Sequence, residues 1–132
     1  MSTQRAVAVV LEGQRVLVMK RCLNGTDYAV LPGGGVEPGE TFEDAAVREL
    51  REESTLRARV DHQLLEGEHN GREARYFLMT DVVGTATLSG PELLEHGPDN
   101  TFELVWADAQ DLRRLGLHPE HLRIDLPTLL GL

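Results

Sequence analysis

The sequence predicts an α/β fold, an α/β/α sandwich in which helices pack on the faces of a mixed β-sheet. Strand-like apolar segments lie on both sides of one strongly helical segment, and two shorter helical segments follow near the C-terminus. Strands before and after a central helix are typical of layered α/β architectures. The chain has 132 residues with no repeat or linker-like tract, so we expect one domain spanning residues 1–132.

The N-terminal quarter of the chain predicts three strands. Residues 5–12 are rich in Ala and Val, and residues 15–21 resume an apolar pattern after a turn at Gly13. A loop over residues 23–27 then leads to the short apolar strand 28–31.

A glycine-rich loop and an acidic helix follow these strands. Residues 33–35 are three consecutive glycines. Thr41 is a good N-cap, and Asp44, three residues later, gives a capping-box-like pair. Glu43 and Asp44 also give the first turn the sign that the helix dipole favours. We therefore expect a helix over residues 42–54.

The next segment predicts a β-hairpin followed by a long loop. Residues 57–68 and 72–84 have strand character and flank Asn70-Gly71, a strong hairpin signal. Residues 84–98 are polar and contain several glycines and prolines. Loops of this length are often functional or disordered.

The C-terminal part predicts one more strand and two helices. Residues 101–106 alternate between polar and apolar and indicate a strand. Residues 107–115 form a short helix candidate with Asp108 as its cap. A last helix is expected over residues 120–125, with Pro127 limiting or kinking its continuation.

Composition limits the classes of partner. The formal net charge is −9, from 22 acidic and 13 basic residues, which argues against binding to nucleic acid polymers or anionic membranes. Cys22 is the only cysteine, so no intrachain disulfide can form. The apolar run near the N-terminus is too short for a signal peptide or a membrane span. We therefore expect a cytoplasmic protein.

Three carboxylates share one face of the predicted acidic helix. Glu49, Glu52 and Glu53 stand at i, i+3 and i+4. Like charges at this spacing destabilise a helix by about 0.2–0.5 kcal/mol per pair, so something should offset the repulsion. A hard divalent cation such as Mg²⁺ takes carboxylate oxygens and substrate phosphates as ligands. The same row could also be an ordinary solvated face, with Arg48 and Arg51 as surface partners.

The glycine loop and the helix together resemble the Nudix box, the signature of the Nudix (MutT-like) hydrolase family. The box has Gly, five residues, Glu, seven residues, then Arg-Glu and a pair of glutamates at fixed spacing. The last glycine of the box is replaced by Thr here. The matching positions are Gly34, Glu40, Arg48, Glu49, Leu50, Glu52, Glu53 and Leu56, and the replaced position is Thr55.

The resemblance implies the Nudix fold and a hydrolase that cleaves a pyrophosphate bond in nucleoside diphosphate derivatives with Mg²⁺ or Mn²⁺. Glu52 and Glu53 would be the principal metal ligands. Glu49 would be a further ligand or the base that activates water. Gly33 would add a backbone carbonyl oxygen to the metal site.

The resemblance also assigns supporting roles around these carboxylates. Glu40 would pair with Arg48, a residue of the catalytic set that also reaches Glu52 at i+4, and Gly34 would shape the loop. Thr55 replaces a glycine that follows the helix, where a left-handed conformation is convenient. Because β-branched Thr disfavours a positive φ, we expect the helix exit to differ here.

Residues outside the box supply candidates for substrate binding. Glu92 is the first choice for an additional ligand or base, ahead of Glu95 and Glu103 in the same part of the chain. Arg5 and Arg21, in the first strands, could face substrate phosphates, although ordinary exposed charge is favoured for such positions. Aromatic side chains of the strands could stack on a nucleobase, although core packing is favoured for such positions. The aromatic candidates are Tyr28, Tyr76, Phe77 and Trp106.

The substrate is less well defined than the reaction. Members that cleave ADP-ribose tend to carry a proline at a set distance after the box, and Gly71 occupies that position here. Members that cleave dinucleoside polyphosphates tend to carry a tyrosine slightly further on, and Tyr76 lies a few residues too late to match it. By elimination we expect a nucleoside triphosphate, including modified ones. Hydrolysis of an ADP-sugar or a dinucleoside polyphosphate, or a nucleotide-sensing module without turnover, stays open. Family members are often dimers, which leaves a homodimer open as well.

Overall fold

The computed structural model describes residues 3–132. In this range the chain forms strands and helices in the order that follows. They are β1 (Gln4–Val9), β2 (Leu11–Glu12), β3 (Arg15–Leu23), β4 (Thr26–Val30), β5 (Gly33–Gly35), α1 (Phe42–Ser54), β6 (Arg57–His69), β7 (Arg72–Val83), α2 (Pro91–Glu95), β8 (Asn100–Ala107), α3 (Ala109–Arg114) and α4 (Leu122–Leu130).

The strands divide between two sheets. One sheet has the order β5-β1-β7-β6, in which β1 and β7 run parallel and the other pairs are antiparallel. In the second sheet β3 pairs antiparallel with β2, β4 and β8. The predicted α/β class and mixed strand pairing are confirmed, although the strands form two sheets where one was expected.

The strands have a hydrophobic core on each face. Along β1, Val7 and Val9 join a core that includes buried leucines of α3 and α4. Ala6 and Ala8 point the other way and join a core that includes Leu50 of α1. This alternation follows from the period of two along a strand. It places α1 on one face and the two C-terminal helices on the other, as a sandwich requires.

Several element boundaries differ from those expected. The loop at 23–27 is a tight turn at Asn24 and Gly25, both with positive φ. The glycines expected as a loop form β5, and a short helix, α2, interrupts the long loop. Helix α4 continues through Pro127, because the buried Leu122 and Leu126 anchor it on the core.

Among the described residues, no helix is long and apolar enough to cross a membrane.

Candidate functional site

Helix α1 presents the acidic residues of the site on a fixed scaffold. The Thr41 hydroxyl accepts a hydrogen bond from the Asp44 amide at 3.0 Å, which begins the helix where the sequence predicts it. Ala45, Ala46 and Leu50 are buried on the side that packs against the core. The burial of this side fixes the rotation of the helix, and with it the direction in which the carboxylates project.

Arg48 joins the glycine strand to the helix. Its guanidinium donates to both oxygens of Glu40, at 2.8 and 2.9 Å, and to the Gly35 carbonyl at 2.9 Å. It also donates to Glu49 at 2.9 Å and to Glu52 at 3.3 Å. The hydrogen bonds from Arg48 to Glu40 lower the pKa of the Glu40 carboxyl. The pairings expected for Arg48 with Glu40 and with Glu52 are therefore present in the structure.

The glycines of β5 are required by close packing. A Cβ on Gly33 would lie 2.5 Å from the Ala6 carbonyl oxygen, and one on Gly34 would lie 2.5 Å from the Glu49 carboxylate. The Gly33 amide donates to Glu53 Oε2 at 3.2 Å. The strand therefore lies against the helix closely enough to contact two of its carboxylates.

Glu53 is the buried member of the carboxylate row, with 6% of its surface exposed. Burial raises the pKa of its carboxyl well above the ordinary value, and the neighbouring Glu92 and Glu49 raise it further. The Arg5 guanidinium opposes this shift. Glu52, by contrast, has 42% of its side chain exposed. The three carboxylates thus have different surroundings although they share one helix face.

Glu92, on α2, lines the same cavity as Glu53. Its Oε2 atom is buried and makes no hydrogen bond among the described residues. Burial is the main cause that raises the pKa of Glu92, and nearby carboxylates such as Glu49 add to it. Glu95 and Glu103, the other two candidates, are exposed. Of these three residues, only Glu92 lies with Glu53 along the same cavity.

A cavity of about 140 Å³ opens beside this pair. Arg21 lines it, with its guanidinium 3.8 Å from the centre of the Phe102 ring, and donates to Asn100 and to the Thr101 carbonyl. A larger groove of about 340 Å³ lies between α3 and α4 but contains none of the candidate residues. The residues lining the smaller cavity include Arg5, Arg21, Glu53, Glu92 and Phe102.

Arg5 faces the cavity from β1. One guanidinium nitrogen donates to the Leu31 carbonyl at 3.4 Å, while Nε is buried without a partner among the described residues. Burial lowers the pKa of Arg5, and Glu53 partly counters the effect. Tyr76 and Phe77, by contrast, are buried in the two cores and are not available to stack on a base.

The donor set fits a hard divalent cation. Among residues 3–132, no three acidic, histidine or cysteine side chains already converge on one point, since Glu49 and Glu52 are turned toward Arg48. Yet Glu53 and Glu92 line the same cavity and both have raised pKa values, and Glu92 has a buried oxygen without a partner among these residues. A cation bound by oxygen ligands would relieve this repulsion.

The helix exit at Thr55 corrects the sequence expectation. Thr55 adopts the left-handed conformation with φ 64° and ψ −1°, and its amide donates to the Arg51 carbonyl at 2.9 Å. The exit therefore has the geometry that favours glycine, with Thr in its place. The Thr55 hydroxyl donates to the Thr85 carbonyl at 3.1 Å, a contact between distant segments that the sequence did not predict.

Comparison with known proteins gives a consistent assignment. Residues 2–125 match the family model described as the NUDIX domain. The chain is 32% identical over 120 residues to an ADP-ribose pyrophosphatase of Methanocaldococcus jannaschii, covering 86% of this chain and 66% of that protein. It is 29% identical over 104 residues to an RNA pyrophosphohydrolase of Erythrobacter litoralis, covering 64% of this chain and 62% of that protein.

A Bacillus subtilis protein provisionally named an 8-oxo-dGTP diphosphatase is 43% identical over 65 residues, which cover 48% of this chain and 42% of that protein. The chain thus spans roughly two-fifths to two-thirds of the length of these curated relatives.

Solved structures share the fold. The MutT NUDIX hydrolase from Burkholderia pseudomallei superposes with a TM-score of 0.71 at 24% identity, covering 93% of this chain and 95% of that one. The solution structure of the E. coli ORF135 protein gives a TM-score of 0.71 at 22% identity, covering 96% of this chain and 88% of that one. The family model spans nearly the whole chain, and the chain belongs to the NUDIX domain family.

Proposed function

We propose that this protein hydrolyses a pyrophosphate bond in a nucleoside diphosphate derivative with the help of Mg²⁺ or Mn²⁺. The observation that carries the proposal is the pair of carboxylates, Glu53 and Glu92, that lines one cavity beside the remaining carboxylates of α1. Such a site can bind an anionic diphosphate only if cations offset its negative charge.

The residues of α1 would hold the cation. Glu52 and Glu53 would be the principal ligands, with Glu49 as a further ligand and the Gly33 carbonyl completing the set on the strand side. When bound, the cation supplies positive charge to the phosphate oxygens in the transition state. Arg48 holds the Glu49 and Glu52 carboxylates next to each other through its hydrogen bonds.

Glu92 is suited to the role of general base. Its Oε2 atom is buried, lies along the cavity beside Glu53 and makes no hydrogen bond among the described residues, so it is free to accept a proton from a water molecule in that cavity. In the reaction a water oxygen forms a bond to phosphorus while its proton passes to Glu92 Oε2. The bridging P–O bond breaks, and the leaving phosphate group takes its electron pair.

Arg5 and Arg21 would bind the substrate. Both line the cavity beside Glu53, and Arg5 retains a buried donor without a partner. Arg21 is already held by Asn100 and Phe102, so it would offer its remaining N–H groups in a fixed orientation.

Among possible substrates we favour a nucleoside triphosphate, including oxidised ones. The provisional 8-oxo-dGTP diphosphatase name of the Bacillus subtilis relative supports this choice. The other two relatives are named an RNA pyrophosphohydrolase and an ADP-ribose pyrophosphatase. All three names describe the hydrolysis of a pyrophosphate or diphosphate.

The test incubates the protein and Mg²⁺ or Mn²⁺ with a panel of nucleoside triphosphates, ADP-sugars and dinucleoside polyphosphates. Hydrolysis is measured as the release of phosphate or pyrophosphate. Glu53→Gln should lower kcat by about a hundredfold or more, since it removes a ligand of the cation that would stabilise charge on the reacting phosphate. Glu95→Gln, an exposed change on the same short helix as Glu92, is the control and should retain wild-type rates. Binding of nucleotides without turnover of any of them would favour the sensing module instead.

A further inference from the structure

Residues 85–90, which we name the strap, close the C-terminal end of α1. The last four carbonyls of a helix have no partner within the helix and need one from elsewhere. Here the Thr87 amide donates to the Ser54 carbonyl at 2.8 Å, and the Ser89 amide donates to the Glu53 carbonyl at 3.0 Å. The Ser89 hydroxyl donates to the Glu52 carbonyl at 2.6 Å. The strap therefore binds the backbone of the two glutamates expected to hold the cation.

Gly90 makes this approach possible. Its φ of 73° and ψ of −155° belong to a region that is essentially restricted to glycine. A Cβ at this position would lie 2.6 Å from the Glu52 carbonyl oxygen, a contact that would force the strap away from the helix. The same Cβ would lie 3.6 Å from Glu92 Oε2, so Gly90 is next to the carboxylate of Glu92, which follows the strap in the chain.

Packing alone does not fix α2. None of its residues is buried, and Leu94 has 88% of its surface exposed. On its C-terminal side the following residue, His96, accepts a hydrogen bond from the Phe102 amide at 3.1 Å. On its N-terminal side the strap provides the hydrogen bonds to α1. The position of Glu92 relative to Glu53 therefore depends on a few polar contacts, and those nearest to Glu92 involve Ser89 and Gly90.

We propose that the strap positions Glu92 against Glu53, with the Ser89 hydroxyl and the close approach of Gly90 as the determinants. The role of Glu92 in catalysis rests on the proposed function, and the positioning is a property of the chain itself. Ser89 and Gly90 act through Glu92 and need not touch the substrate.

A double-mutant cycle tests this positioning role. Ser89→Ala should lower kcat by about tenfold, the equivalent of one lost hydrogen bond, with KM changed less than about twofold. Ser89→Thr keeps a hydroxyl and should restore most of the rate. In protein that already carries Glu92→Gln, Ser89→Ala should have no further effect on kcat, because the residue through which it acts is gone.

Thr87→Ala is the matched control within the strap. The Thr87 hydroxyl donates within the strap, to the Thr85 carbonyl at 3.2 Å, and the backbone bond to Ser54 does not depend on it, so kcat should stay near the wild-type value. Gly90→Ala should lower kcat more than Ser89→Ala does, because the added methyl group collides with backbone. Equal losses from Ser89→Ala with and without Glu92→Gln would overturn the proposal, as would a wild-type kcat in Ser89→Ala.

Hydrogen–deuterium exchange of the metal-free chain separates this inference from the proposed function. Ser89→Ala and Gly90→Ala should speed exchange of the amides in residues 92–95, whereas Thr87→Ala should not. If wild-type protein hydrolyses nothing, the proposed function fails, and faster exchange in these variants still supports the strap. Unchanged exchange in both variants would overturn the positioning role whatever the activity.

Discussion

At the scale of single residues, Thr55 illustrates how a local cost is tolerated. A side chain with a Cβ in the left-handed region costs about 1–2 kcal/mol, and glycine avoids most of this cost. The hydroxyl bond from Thr55 to Thr85 offsets part of it, although exposure to water limits the gain. Thr55 is therefore a residue at which the folded state is strained.

We predict that Thr55→Gly raises the free energy of unfolding by about 0.5–1 kcal/mol, since relief of backbone strain exceeds the loss of one exposed hydrogen bond. Thr55→Ala loses the hydroxyl without relieving the strain and should be less stable than wild type. Urea unfolding monitored by circular dichroism measures both. A Gly variant less stable than the Ala variant would contradict the strain at this position.

The sequence does not determine which carboxylate of the site is buried and which is exposed. The spacing of Glu49, Glu52 and Glu53 predicts a shared helix face, and the structure has it. The buried one, Glu53, accepts a hydrogen bond from the Gly33 amide and has its pKa raised further by Glu92, and both of these residues are distant in sequence. Local periodicity contains no information about such contacts.

At the scale of elements, prediction succeeds where the signals are local. Helix α1 spans Phe42–Ser54, as its cap and periodicity predict. Strand β5 was not predicted because three glycines have low strand propensity, and its pairing with β1 is a long-range interaction. Short α2 was not predicted because its position is set by contacts with α1 and β8.

The β6–β7 hairpin provides an element-scale prediction about pH. At its end, burial lowers the pKa of His69 to about 4, and the nearby Arg5, Arg72 and His118 contribute in the same direction. In the unfolded chain a histidine binds its proton near pH 6.5, so only the unfolded state gains it as the pH falls below that value. We predict that this residue makes the protein progressively less stable from about pH 6.5 down to about pH 4.

The measurement is the urea midpoint as a function of pH. His69→Gln should flatten the fall in stability between about pH 6.5 and 5, where most carboxylates are still ionised. His62→Gln, at an exposed position of the same strand, should retain the wild-type pH dependence. An unchanged slope in His69→Gln would contradict the environment described for this ring.

At the scale of the whole molecule, the fold collects residues that are far apart in sequence. Arg5 comes from β1, Gly33 from β5, Glu53 from α1 and Glu92 from α2, and all four line one cavity. The sequence predicts each candidate separately through motif or charge. Their meeting requires the β1–β5 pairing and the strap, which are tertiary features.

The concentration of negative charge leads to a prediction about global stability. A cation that binds only the folded state stabilises it by about 2.7 kcal/mol when present at a hundred times its dissociation constant. Mn²⁺ or Mg²⁺ should therefore raise the Tm of the wild-type protein in thermal unfolding without any substrate. Glu53→Gln removes a buried charge, so its metal-free Tm should be higher than that of wild type, while its response to the cation should be much smaller.

Glu95→Gln serves again as the control and should respond to the cation as wild type does, because this carboxylate is exposed and does not line the cavity. Sodium chloride at matched ionic strength accounts for general screening of the net charge of −9. An equal rise in Tm for wild type and Glu53→Gln would place the cation elsewhere on the acidic surface. A rise confined to proteins with Glu53 intact would link folding stability to the same carboxylate that is proposed to act in catalysis.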